Sequence, residues 1–597
     1  TGTDGTPLTN SGTFNEGTST VIYNGNNGGG NTSIASSVNY YNLSVSNASE
    51  NYVLTGTTTV NAAGTTNVLN GTLSTGSDYT LSTGKLEITN AGSAIFVANA
   101  STIYLTATSG TVFTRGASAT FSAGTSSVEL TGAGDVFVTD SNITGFYDLV
   151  INGTGTKTLV ASNTGITHNF TVSAGTVDPD GNAITGSGTN TLTVNAATIK
   201  VDQSGPGALD SSYSSFETVT LNTDSTVDFD ANVNQGLSTH TYYNVLISSA
   251  GGTKALEQST TINGTLTMQG GSGFNTFDDT YDLNVGSIDI QAGTFTSNGS
   301  TITIAGDFSN AGTFSADTSS VIFNGANTAT ITGTTSFYDL TLTHTAAKEV
   351  DFSVTGGAIY TVSHTFTVTG SSGNLITIRS TSGGTKFQFN PTGTASVDYA
   401  DVQDGGCEGT AIQMSPTNST NSGNNDSCWF DASLTFSISD TTIGFGPLTI
   451  LNARWATGDL SGSSSDTAAH TFSIQTSAAS GYSLTYFGDL LKSGTDDIDA
   501  ASITNDADGD PGVTEAFGLG LSTDGSSTIA SGYDHNATPA SRDWSWVANT
   551  ITEIVSKTSP VSSTETISAY YLANISSLTV AGDNYSTDVT YIITGNF

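Results

Sequence analysis

The chain has 597 residues, 51 of them acidic and 12 basic, for a formal net charge of −39. One hydrophobic core does not organise that length, so several domains or a repeat array are expected. Nucleic acid and anionic membrane surfaces require clustered cations and are disfavoured as partners, whereas divalent cations suit an acidic surface.

Charged residues make up only 11% of the chain, which separates it from acidic disordered tails. Thr, Val, Tyr, Phe and Ile dominate the apolar-periodic stretches, and these types favour strands over helices. No apolar run has membrane-spanning length, and no leader is visible at Thr1. Thr1 therefore reads as a mature N-terminus or the start of a processed fragment. The two cysteines, Cys407 and Cys428, have no metal-ligand spacing around them. They fit one disulfide formed in an oxidising compartment, against the alternative of two free thiols.

Along the chain, one strand pattern recurs four times: two aromatics, Asn or Asp, then alternating apolars. It reads Tyr40-Tyr41-Asn42-Leu43-Ser44-Val45, Phe146-Tyr147-Asp148-Leu149-Val150-Ile151, Tyr242-Tyr243-Asn244-Val245-Leu246-Ile247 and Phe337-Tyr338-Asp339-Leu340-Thr341-Leu342, at spacings of 106, 96 and 95 residues. Each anchor follows a second shared strand containing Val21, Val128, Val227 or Val321, which stands 19, 18, 15 or 16 residues before the first aromatic. Two elements at matched offsets, four times over, define a repeat. In the anchor, period-two alternation predicts Tyr41, Leu43 and Val45 facing in and Asn42 and Ser44 facing out. Gly, Asn-Gly and Ser-Gly turns at intervals of about 15–25 residues predict one coil each of a parallel β-solenoid, about four or five coils per repeat. A string of Ig-like sandwiches is the alternative. The expected architecture is all-β: a solenoid over residues 1–431 in four units, then an Ig-like β-sandwich over 432–597.

The solenoid's last stretch runs through Ala395–Val402 and a Gly/Asn/Ser-rich loop to Ser427-Cys428-Trp429-Phe430. Together with the anchors, it resembles the bacterial β-strand-repeat, adhesin-like cell-surface proteins. That resemblance covers about residues 10–430 and implies an extracellular, cell-surface setting without naming a ligand. A Cys407–Cys428 bond would close a loop of 21 residues over the last coil. Beyond it, strand-like runs such as Leu434–Ile438, His470–Gln475, Tyr482–Phe487, Thr566–Leu572 and Val589–Ile593 are separated by longer polar loops. The closing segment 581–593 is similar to the last hairpin of WxL-type and related surface-layer domains. Trp544-Ser545-Trp546 departs from the W-x-L pattern, so peptidoglycan binding does not carry over.

For chemistry, Asn505-Asp506-Ala507-Asp508-Gly509-Asp510 with Glu515 is the leading site. Oxygens at alternate positions around a glycine turn suit Ca²⁺, with Asp506, Asp508, Asp510 and Glu515 as ligands; a solvated Asx-rich turn is the alternative. Pro511 and Phe517 break the EF-hand pattern. Smaller acidic groups at Asp178 and Asp180, at Asp224, Asp228 and Asp230, at Asp278, Asp279 and Asp282, and at Asp496, Asp497 and Asp499 read as turns. Gly270–Asn275 half-matches a calcium-binding nonapeptide that works only in tandem. The six histidines are scattered, and no nucleophile, zinc-protease or phosphate-loop motif occurs. No catalytic residue and no enzyme activity are therefore expected. The expected function is a structural cell-surface protein that assembles with itself into a surface layer or fibre, with Ca²⁺ as a cofactor. The alternatives are an adhesin that binds cell-surface glycan with the solenoid as its stalk, and a polysaccharide-active β-helix enzyme.

Overall fold

The computed structural model describes residues 5–596 except 90, 141–144, 161–163, 276–280, 431–432, 479, 505, 507, 536–537, 539–540 and 583. Strand accounts for 51% of the chain and helix for 2%, so no helical crossovers are available to connect parallel strands, and coils must do it. The chain divides into two compact units, Thr1–Ile412 with Pro416–Thr420, and Gln413–Ser415 with Asn421–Phe597. Among the described residues, no helix is long and apolar enough to cross a membrane.

The first unit is a parallel β-solenoid of about 18 turns over roughly residues 20–421. Val177, Ile199, Val227, Val245, Leu266, Ile288, Phe308, Ile331 and Phe352 occupy the same place in nine successive coils. All are 0–1% exposed, and burying such a side chain contributes about 1.5–3 kcal/mol. The β-branched and aromatic residues of this ladder suit the pleated inner face, while the intervening Thr and Ser point outward.

The repeated elements stack directly on one another. Val21 pairs with Leu43, Val128 with Leu149, Val227 with Val245 and Val321 with Leu340, each in parallel register. Anchors one and three lie on a single strand column, nine coils apart. Anchors two and four lie on the strands that precede that column in each coil, also nine coils apart. Two repeats thus span nine coils, and the anchor changes face at every repeat.

Within the anchor, one expectation is corrected. Leu43 and Val45 face in, but the buried aromatic is Tyr40, at 0% exposure, while Tyr41 is half-buried and Ser44 is buried. The same split separates Phe146 from Tyr147, Tyr242 from Tyr243 and Phe337 from Tyr338. The register shifts between Phe146 and Asp148 and between Phe337 and Asp339, and this irregularity interrupts the period of two. The Asn or Asp that follows caps the next coil: Asn42, Asp148 and Asn244 accept the backbone N–H of Thr65, Asn169 and Thr265 at 2.9, 2.9 and 3.0 Å.

Cys407 and Cys428 form a disulfide. The second unit is built of antiparallel sheets around a main core, with a smaller cluster of Ala453, Trp455, Ala501, Ala516, Trp544 and Leu572 beside it. The larger sheet runs Leu434–Ile438, His470–Thr476, Val561–Asn574, Ala516–Thr523, Trp544–Ser545 and Ser502–Ile503; the smaller runs Thr528–Ile529, Thr552–Lys557, Tyr482–Gly488 and Val589–Gly595. Phe472, Ile474, Leu484, Tyr486, Leu519, Ile554 and Ile567 fill the space between them. Trp544 and Trp546 are buried, and their indole N–H groups donate to the carbonyls of Asp506 and Asp489 at 3.1 Å.

Candidate functional site

The acidic loop of the second unit is held by its own hydrogen bonds. Asp506 Oδ1 accepts the Asp508 N–H at 3.1 Å, an Asx turn. Asn574 Nδ2 donates to the carbonyls of Asp508 and Gly509, and Thr514 Oγ1 donates to Gly509 at 2.6 Å. Asp510 takes a left-handed backbone, φ 55°. Glu515 accepts hydroxyl hydrogen bonds from Ser576 and Thr579. Asn505 and Ala507 lie outside the described residues, as do Asp278 and Asp279. Among the described residues, no group of three or more His, Cys, Asp or Glu is arranged to hold a metal ion.

In the solenoid, Asp178, Asp228 and Asp230, read from sequence as separate turns, join one network around Lys200, whose Nζ lies 3.0 Å from both Asp178 Oδ2 and Asp230 Oδ2. Parallel stacking does this, because Asp178, Lys200 and Asp228 sit on consecutive coils. Burial and a hydrogen bond with Asp230 push the neighbouring Asp202 carboxyl up to about 7, against the N–H of Gly181, which favours its charged form. Burial opposes the charge on Lys200, but hydrogen bonds to the two carboxylates hold it above its ordinary range. The network thus already holds a cation of its own, Lys200.

Sequence reading missed a second set of lysines. Lys157, Lys254 and Lys348 are 0%, 0% and 2% exposed, inside the solenoid. Each ammonium donates to carbonyls of the preceding loop: Lys157 to Gly134 at 2.7 Å, Lys254 to Ala231 and Val233 at 2.7 and 2.9 Å, Lys348 to Gly325 and Asn327 at 2.8 and 3.0 Å. Tyr52 does the same in the first repeat, its hydroxyl donating to Gly25 at 3.1 Å. The available signal was position: each lies 11 or 12 residues after the first anchor aromatic.

Two anchors carry an outward constellation. His168 Nδ1 is 2.8 Å from Asp148 Oδ1, and His364 Nδ1 is 2.8 Å from Asp339 Oδ1. Each imidazole stacks on the second anchor aromatic, Tyr147 or Tyr338, with centroids 4.5 Å apart. The histidine side chains are 49% and 57% exposed. Where the anchor has Asn, the matching residue is Gly64 or Gly264. A Cβ there would stand 1.7 Å from the Tyr41 carbonyl oxygen or 2.3 Å from Asn244 Oδ1.

The second unit also presents a surface. Leu434–Ile438 is one edge of the larger sheet and Val589–Gly595 one edge of the smaller. Along both, inward apolar residues alternate with exposed ones, and none of the inward residues is fully buried. Phe436 and Tyr591 both pack on Phe472, at 5.8 and 4.6 Å, so the two edges flank the same side of the core. A cavity of about 1000 Å³ lies in this unit, lined by Phe445, Leu448, Leu491, Tyr571, Val580 and Val589 among others. Such a side can accept an extended backbone. No protein-family profile, curated protein or solved structure matches the chain.

Proposed function

We propose that the protein is a structural cell-surface protein that assembles with itself into a surface layer or extracellular fibre. The observation that carries this reading is the solenoid repeat, in which the same strand pair is stacked in matched register four times. Nearest-neighbour stacking gives an extended, uniform element whose length scales with coil number, which is what a spacer in a lattice or fibre requires. The disulfide supports an oxidising, extracellular setting, and the resemblance to β-strand-repeat surface proteins points the same way. Calcium belongs to the proposal through Asp506, Asp508, Asp510 and Glu515, whose loop is preorganised by Asn574 and Thr514. Electron microscopy of purified full-length protein, with calcium and then with chelator, tests both parts. Ordered sheets or fibres that disperse on chelation are expected. Assembly indifferent to chelator removes the calcium, and monomers in both conditions overturn the reading.

A second reading, binding of cell-surface glycan, is favoured by the two His–Tyr plates, because a flat ring beside a carboxylate matches the apolar face and hydroxyls of a sugar. Glycan-array binding by the full chain that is lost in Tyr147→Ala/Tyr338→Ala would support it. Binding unchanged by that substitution, or absent in the native chain, removes it.

A further inference from the structure

The edge strand Leu434–Ile438 carries no charge, no proline and no bulge. Natural edges are blunted by lysine, proline, bulges or inward charges. Ser433-Leu434-Thr435-Phe436-Ser437-Ile438-Ser439 contains no charge, no proline and no glycine, and its pairing with His470–Thr476 is in unbroken register. Among the described residues, His470–Thr476 is its one strand partner, so one row of backbone donors and acceptors faces outward.

Charge identifies the occupant. The protein carries −39, so two copies repel except where neither presents a carboxylate, and this segment is such a place. A cationic partner would gain from an acidic edge and nothing from a neutral one. The sequence is also its own complement. Paired antiparallel about Phe436, Leu434 meets Ile438 of the second copy, Phe436 meets its equivalent, and Thr435 meets Ser437. Apolar residues then fall on one face and hydroxyls on the other, and opposed side chains interact at that spacing. Phe436 already stacks on Phe472 with an interplanar angle of 19°, and the pairing would extend that aromatic row across the junction.

We infer that Leu434–Ile438 is a two-fold docking edge at which a second copy of this chain adds its own Leu434–Ile438 antiparallel, making the larger sheet continuous between two molecules. The contact is isologous and closes at two copies. It rests on the self-assembly reading and names one of its interfaces.

Sedimentation velocity of the full-length chain tests it, comparing the native protein with Thr435→Glu/Ser437→Glu. Both positions are exposed, and across the two-fold axis each introduced carboxylate would face another. Native dimers, or larger species built from them, and dimerisation weakened about tenfold or more in the variant are expected. A cysteine pair reads the register: chains carrying Thr435→Cys and Ser437→Cys should cross-link on oxidation when mixed and not when either is alone. The chain's own cysteines are already paired. Native association untouched by the glutamates, or cross-linking indifferent to the pairing, overturns this interface and leaves self-assembly standing. A native chain that stays monomeric overturns both.

Discussion

The lysines inside the solenoid show how a single residue can serve a coil. Each buried ammonium satisfies carbonyls that a tight turn leaves pointing inward, and an unsatisfied buried acceptor costs about 1–3 kcal/mol. Lys254→Met is therefore expected to destabilise the first unit by about 2 kcal/mol or more, measured by denaturant unfolding. Burial pushes Lys254 down to about 8. Between there and its unfolded value near 10.4, the unfolded chain binds the extra proton, so this residue's contribution makes stability rise with pH across that window. The rise should shrink in Lys254→Met. Asp202 has the opposite sign. With its carboxyl raised to about 7, the folded state holds more protons between about pH 4 and 7. Its contribution to stability is full at low pH and lost on rising through that range, and Asp202→Asn should flatten the loss in pH-resolved melting curves.

At the scale of the element, the anchor couples a buried aromatic to an outward cap. Leu340 is fully buried between Val321 and Phe366 of the adjacent coils, so Leu340→Ala should cost about 2–5 kcal/mol. The outward positions divide by fit. Gly264→Ala would force a Cβ against Asn244 and the Tyr243 carbonyl and is expected to lower the melting temperature measurably. His168→Gly removes an exposed stacked ring and its exposed hydrogen bonds to Asp148 and Asn169, interactions of about 1 kcal/mol each, and should leave the fold intact in the same measurement. The anchors themselves were legible in the sequence because two shared strands recur at matched offsets. Which aromatic points inward was not, because the register shift before Asp148 and Asp339 breaks the alternation from which side-chain direction is read.

For the whole molecule, about 18 coils at roughly 4.8 Å each give the first unit an axis of about 85 Å. Stability that sums over neighbouring coils lets such a unit open from its ends. The disulfide acts against that: Cys407→Ser/Cys428→Ser should cost about 3 kcal/mol by the chain-entropy argument for a loop of this length. Amide exchange should rise first in the coils nearest Cys407, and uniform exchange along the solenoid would refute end-opening.

The sequence by itself determined the fold class, the solenoid and its four anchors, because alternation of apolar side chains, glycine turns and matched repeats are local properties of the chain. It also placed the two cysteines in one bond. Only the tertiary structure decided which residues become neighbours across coils. Asp178, Lys200 and Asp230 lie up to 52 residues apart in sequence and meet because each coil advances by one strand spacing. Lys157, Lys254 and Lys348 turn inward because a loop one coil away offers carbonyls there. The neutral edge at Leu434–Ile438 is likewise invisible in a string of letters, since a strand becomes an edge only when the rest of the sheet leaves it without a second neighbour.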